Sequence, residues 1–176
     1  MYCDAAKSVR RRATQTAMYD IFSSLTRLLA PILAFTADEA WEFAPFTEGS
    51  VHEQDFPEPD PAFAGDDATR KISRLLEIRH DVQTAIEEQV KAKAFKKNNE
   101  AAVKVVVKEG EPAYDLLNDE NFAKEFFIVA DFEVTVGSEF SVKVAKSEHE
   151  MCPRCRRYEP LVDEVCERCA GVVARA

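Results

Sequence analysis

The chain has 176 residues, 46 % of them hydrophobic, and a formal charge of −9 from 32 acidic and 23 basic side chains. That length and apolar fraction allow one large domain or two small ones with a real core, while the acidic balance excludes a protein that coats itself in nucleic acid. The longest apolar run, Leu28 to Phe35, carries a proline and is too short for a bilayer, and no apolar stretch follows the charged MYCDAAKSVRRR start as a secretory signal would require.

Residues 4–30 read as one long helix, because Val9, Ala13, Ala17, Ile21, Leu25, Leu28 and Ile32 recur at three- and four-residue steps and form one stripe for burial. The stripe widens through Phe22 and Leu29, which predicts deeper burial at that end, and Pro31 ends or kinks the helix. Thr36-Ala37-Asp38-Glu39 has the form of a capping box opening a second, short helix that presents Ala40, Trp41 and Ala44 and stops before Pro45. One long and one short helix cannot close a bundle, so the chain reads as starting within a domain. A proline-rich, acidic stretch from Pro45 to Gly65, with a brief extended Ser50-Val51-His52, marks a domain boundary.

Asp66 or Asp67 is expected to cap a long helix reaching about Ala94, with Ile72, Leu75, Leu76, Val82, Ile86 and Val90 on its buried face. AAVKVVVK alternates as a half-exposed strand, a turn at Glu109–Pro112 leads to one or two short helices across 113–125, and FFIVADFEVTV and FSVKVAK read as two strands joined by a hairpin-length turn at Gly137-Ser138-Glu139. The fold class is therefore α+β: a helical bundle portion over 1–63, a small junction domain with a mixed sheet over 64–149, and a hook over 150–176.

That hook carries the most specific signal. CPRC, ten residues and CERC place Cys152, Cys155, Cys166 and Cys169 as two short pairs that can converge on one point. Four soft thiolates suit a tetrahedral Zn²⁺, and a closed four-cysteine site is structural. Leu161, Val162 and Val165 are too few to hold such a hook, so one zinc ion, or iron standing in for it, is expected to supply its folding energy. A disulfide pair or a redox dithiol are the competing readings of the same cysteines. Metal-spaced thiols fit a reducing compartment, and the chain reads as cytoplasmic. Cys3 remains as a plain thiol, and His149 is a weaker ligand candidate because four cysteines already fill the shell.

No catalytic residues are read from the chain. Its five glycines are too dispersed for a phosphate loop or a dinucleotide fingerprint, and His52, His80 and His149 fall in no nucleophile–base pattern. The basic residues are the remaining candidates. Arg10, Arg11 and Arg12 fan around a helix with Gln15 nearby, a face suited to phosphates and a base edge. Pairing of the same arginines with Asp38, Glu39 or Glu42 is the alternative. In the hook, Arg154, Arg156 and Arg157 stand beside the first knuckle with Tyr158 as a stacking surface, which leans toward nucleic acid.

YCDAAKSVRRRATQTAMYDI, LLAPILAFTADEAWE and SVHEQDFPE resemble the helical anticodon-binding domain of bacterial isoleucyl-tRNA synthetases, and CPRC…CERC resembles the C-terminal zinc module of the same family. The resemblance runs the length of the chain and is strongest in 2–57 and 150–169. It implies a tRNA-recognition fragment, without catalysis of its own, of an enzyme that joins isoleucine to its tRNA using ATP. The implied partners are the anticodon arm of the isoleucine tRNA and upstream catalytic and editing domains, with no membrane and a monomeric chain. Cys152, Cys155, Cys166 and Cys169 match the family's zinc ligands, and Arg10, Arg11, Arg12 and Gln15 match its RRR-x-x-Q block. Two readings from other classes stand beside it: the zinc-finger tail of a DNA-repair glycosylase, and a protein-docking zinc module.

Overall fold

The computed structural model describes residues 2–61 and 65–174. The expected boundary at residues 63 and 64 lies outside the described residues. The chain forms two compact units, Met1–Ala64 and Gly65–Ala176.

In the first unit, α1 spans Val9–Leu29 and α2 spans Ala34–Glu42. α1 starts later than the apolar spacing predicts, because the Ser8 hydroxyl accepts the Arg11 amide at 3.3 Å and fixes the helix start there. The capping box at Thr36 does not form. The turn after α1 already delivers the Leu33 carbonyl to the Ala37 amide at 2.8 Å, so the helix is under way before Thr36. Asp38 instead accepts the Ser50 hydroxyl at 2.6 Å and the Val51 amide at 3.3 Å. That tie pins a 3₁₀ turn over Val51–Glu53 where an extended segment was expected. The core is small: Ala30, Ala37, Trp41 and Val51, with Phe22 against them.

The predicted burial of the α1 stripe is not what the fold shows. α2 takes the face of Phe22, Thr26 and Ala30, and Val9, Met18, Ile21, Leu25, Leu28 and Ile32 are all at least half exposed. The periodicity correctly marks an apolar face, but two helices cover only one edge of it.

The second unit opens with α3, Asp66–Lys91. Gly65 occupies the cap position, and Asp66 and Asp67 lie inside the first turn, where carboxylates suit the helix dipole. The helix ends earlier than expected. Lys93 turns left-handed (φ 60°), and the Lys93 and Ala94 amides return to the Val90 and Gln89 carbonyls, the hydrogen-bond pattern of a Schellman stop. Its buried row is Leu75, Ile78, Val82 and Ile86. Ile78 replaces Ile72 and Leu76, which are 44 % and 54 % exposed, since both lie about one residue's rotation off that row.

After a 3₁₀ turn at Asn98–Glu100 come β1 (Ala101–Val107), α4 (Tyr114–Leu117), α5 (Glu120–Phe127), β2 (Asp131–Val136) and β3 (Ser141–Lys146). Phe126 and Phe127 are helical rather than part of a strand, because Ile128 ends α5 in the left-handed conformation (φ 59°) and β2 begins only beyond it. The sheet is mixed, in the order β2-β1-β3, with β2 parallel and β3 antiparallel to β1. The expected β2–β3 hairpin is therefore absent: β1 lies between them, and residues 137–140 cross its end. Gly137 makes that crossing possible. Its amide bonds the Val107 carbonyl at 2.8 Å, and a Cβ there would meet the Val106 side chain at 2.6 Å. Helix α3 packs on β3 and α5 on β2, enclosing Val103, Val105, Val107, Leu117, Phe127 and Phe132 with the α3 row.

The chain finishes in a two-stranded ribbon, β4 (Leu161–Val162) with β5 (Val165–Cys166), and α6 (Glu167–Val173). Among the described residues no helix is long and apolar enough to cross a membrane.

Candidate metal centre and nucleic-acid interface

Two backbone devices present the four sulfurs. In the first, Cys152 and Arg157 close a tight loop: the Cys152 amide bonds the Arg157 carbonyl at 2.8 Å, and the Arg156 amide bonds the Cys152 carbonyl at 2.8 Å. Arg156 turns the chain with φ 61°. In the second, Asp163 and Glu164 (φ 50° and 69°) fold the β4–β5 hairpin, so that Cys166 ends β5 and caps α6 while Cys169 lies in the first turn of that helix.

The four Sγ atoms lie within 4.8 Å of one another, and Cys152, Cys166 and Cys169 are buried. Cys155 and Cys166 are 3.7 Å apart through sulfur. Disulfide sulfurs stand about 2.05 Å apart, and all four cysteines are free thiols. Four thiolates held about 2.3 Å from one tetrahedral ion would stand about 3.8 Å apart. The donor set thus has the composition, spacing and shielding to hold a metal ion.

Hydrogen bonds to sulfur complete the site. The Cys166 amide reaches Cys152 at 3.4 Å, and the Arg154 guanidinium reaches Cys169 at 3.3 Å. Burial pushes the Cys166 and Cys169 thiols up, opposed at Cys169 by Arg154. Cys152 falls below the ordinary thiol range, because the backbone amides of Cys155, Cys166 and Arg154 outweigh its burial.

The three hook arginines have separate surroundings. Arg157 pairs with Glu125 of α5, Arg154 faces the sulfurs, and Arg156 is exposed, its carbonyl accepting from Asn99 at 3.4 Å. Tyr158 is half-buried and bridges Met151 in antiparallel fashion. In the first unit, Arg10 and Arg11 turn toward Asp4, the former through its side chain at 3.9 Å and the latter to its carbonyl at 3.4 Å. Asp4, in the turn before α1, is thus a partner of both arginines. Arg12 and Gln15 are exposed on α1.

Sequence reasoning missed how the hook is moored. Lys124, with only 11 % of its side chain exposed, meets Glu120 at 2.7 Å, Glu159 at 3.7 Å and Asp131 at 3.9 Å. Burial opposes its charge, yet these three carboxylates together hold its pKa above the ordinary value. Asp131 also takes the Ser147 hydroxyl at 2.6 Å and His149 at 3.1 Å. Only the Glu120–Lys124 spacing of four was legible as a helix pair. His149 is thus engaged by a carboxylate and stands outside the thiol cluster.

A model of the anticodon-binding domain of tRNA ligases matches residues 1–107. The chain belongs to that family. As an anticodon-binding domain it is similar, over almost its whole length, to isoleucine–tRNA ligases: 34 % identical to that of Symbiobacterium thermophilum (98 % of this chain, 21 % of the relative), 36 % to that of Staphylococcus carnosus (99 % and 20 %) and 38 % to that of Macrococcus caseolyticus (98 % and 20 %). The chain spans about a fifth of the length of these relatives. The family match covers the first unit, α3 and β1, and the thiol cluster lies beyond it.

Proposed function

We propose that this anticodon-binding chain is the tRNA-recognition portion of an isoleucine–tRNA ligase, holding the anticodon arm of the isoleucine tRNA, and that the attachment chemistry with ATP belongs to catalytic and editing domains elsewhere in the enzyme. The observation that carries this reading is the family match over 1–107 continued by ligase similarity through the cysteine hook.

The cysteines Cys152, Cys155, Cys166 and Cys169 hold one structural Zn²⁺ in this reading, making the hook a metal-dependent module moored to the α+β unit by Lys124 and Arg157. Arg12 and Gln15, with Arg10 and Arg11 beside them, form the α1 contact face, and Arg156 is the leading phosphate contact on the hook, with Tyr158 behind it. Arg157 serves as an anchor before it serves as an RNA contact, since Glu125 already engages it. The exposed apolar row of α1 is the seat of further bundle helices from the same enzyme.

The test is fluorescence anisotropy with the isoleucine anticodon stem-loop across a salt series. The expected result is salt-dependent binding, tighter than to an unrelated stem-loop, with Arg156→Ala lowering the log–log salt slope by about 1. Equal affinity for the two RNAs defeats the specificity, and tighter binding to duplex DNA or none at low salt defeats the RNA reading.

A further inference from the structure

The three arginines of the first knuckle differ in what they touch, and the middle of the CPRC loop is the telling one. Arg154 is half-buried and reaches across from the first knuckle to the last ligand of the second, its Nη1 3.3 Å from the Cys169 sulfur. A divalent ion with four thiolates leaves two negative charges, and here three of the four cysteines are buried away from water that would spread them. Cys152 draws a backbone donor from Cys166 at 3.4 Å, a bond built into the chain path. The donor to Cys169 comes instead from a cationic side chain, and a charge-assisted hydrogen bond is the stronger kind.

We propose that Arg154 is a positioning residue of the metal centre: its guanidinium donates to the Cys169 thiolate, ties the second knuckle to the first and slows release of the ion. The tie crosses between the two halves of the site, so it opposes the motion by which a hook would open, with α6 and Cys169 swinging away from the CPRC loop. Outer-sphere partners of metal ligands commonly alter metal affinity by about 10- to 100-fold, and an arginine held on sulfur is withdrawn from phosphate. The role rests on the reading of the four cysteines as a metal centre.

The experiment uses the whole chain loaded with Zn²⁺ or, as an optical probe, with Co²⁺. Metal release to a chromogenic chelator is timed for the native chain, Arg154→Ala, Arg154→Gln, Arg154→Lys and, as a control, Arg156→Ala. Release is expected to be about tenfold faster for Arg154→Ala, intermediate for Arg154→Gln and Arg154→Lys, which keep a donor, and unchanged for Arg156→Ala. In the cobalt form, loss of the N–H···S donor raises the energy of the sulfur electrons, so the sulfur-to-metal charge-transfer band of Arg154→Ala moves to longer wavelength. Native release and a native cobalt spectrum in Arg154→Ala overturn the proposal, the more so if that variant instead loses RNA affinity. Failure of the native chain to bind one equivalent of either metal defeats the metal-centre reading itself, a result separable from the variant comparison.

Discussion

The two units solve the same burial problem with unequal means. The second encloses its apolar rows between one sheet face and two helices, leaving Leu75, Ile78, Val82, Ile86, Val105 and Val107 with no exposed surface. The first gathers four buried apolar residues, leaves most of the α1 row in water, and buries the Trp41 indole N–H without an acceptor among the described residues. A buried donor left unpaired is uncommon in a finished core. The difference teaches that amphipathic sequence is necessary for a core but not sufficient. α3 meets a sheet wide enough to cover its row, whereas α1 meets one nine-residue helix. The first unit's apolar face therefore has the character of half an interface, and the second unit's that of a completed interior.

The sharpest way to break this comparison is Cys166→Ser. If the four cysteines hold the proposed zinc, the metal equivalent per chain should fall from about one to near zero, removing roughly 10–16 kcal/mol of binding energy from the hook. The far-ultraviolet signal of helix and sheet should persist, as should the emission of Trp41, the sole tryptophan and a reporter of the first unit. Collapse of the whole second unit would show that the sheet depends on the hook.

Next in size is Ile78→Ala, which empties a fully buried site and is expected to cost about 2–5 kcal/mol. Denaturant unfolding followed by circular dichroism should move, while the transition seen by Trp41 stays in place. A smaller effect of opposite sign is expected at Ile128, a β-branched residue held left-handed and 56 % exposed. Ile128→Gly should stabilise the second unit by about 1 kcal/mol, because glycine adopts that conformation without the steric cost.

In the first unit the expected shifts are smaller. The Ser50 hydroxyl holds the Asp38 carboxylate below its usual range. Its contribution is therefore present above the unfolded carboxylate value of about 3.9 and is lost as pH falls through the lower folded value. Acid titration of the Trp41 thermal transition should show this loss, and Asp38→Asn should flatten it. Smallest of all is Leu25→Ser on the exposed row, expected within about 0.5 kcal/mol of native but reducing the binding of an apolar dye. A large loss would mean that the row is covered in the isolated chain.

What was legible in the sequence follows from which physics is local. The four cysteines announced their convergence through short spacings, and Leu75, Val82 and Ile86 announced the buried side of α3 through helical periodicity. The alternation of Val103, Val105 and Val107 gave a strand and its inner face. It could not give the neighbours, because period-two patterning distinguishes faces of a sheet and is silent on strand order; that is why β2 and β3 read as a hairpin. Thr36 looked like a cap since residue types alone do not say that Leu33 has already begun the helix. Lys124, Asp131 and Glu159 carried no signal because their meeting depends on the completed sheet. The hook arginines were legible as a cluster, but their division among Glu125, sulfur and solvent was not.

The central place of β1 has a consequence for the order in which the molecule can mature. A ribosome delivers β1, then β2, and only later β3, and among the described residues β2 pairs with β1 alone. The sheet remains a parallel pair, the slower kind to form because its closing loop is long, until residues 137–140 cross the end of β1 and residues 141–146 take the remaining edge. Cys152, the first of the four clustered cysteines, follows six residues after that strand, so the closing of the sheet and the gathering of the thiols become neighbouring events in time. A chain stalled before Lys146 has neither, and a chain completed past Cys169 acquires both within one short stretch of synthesis.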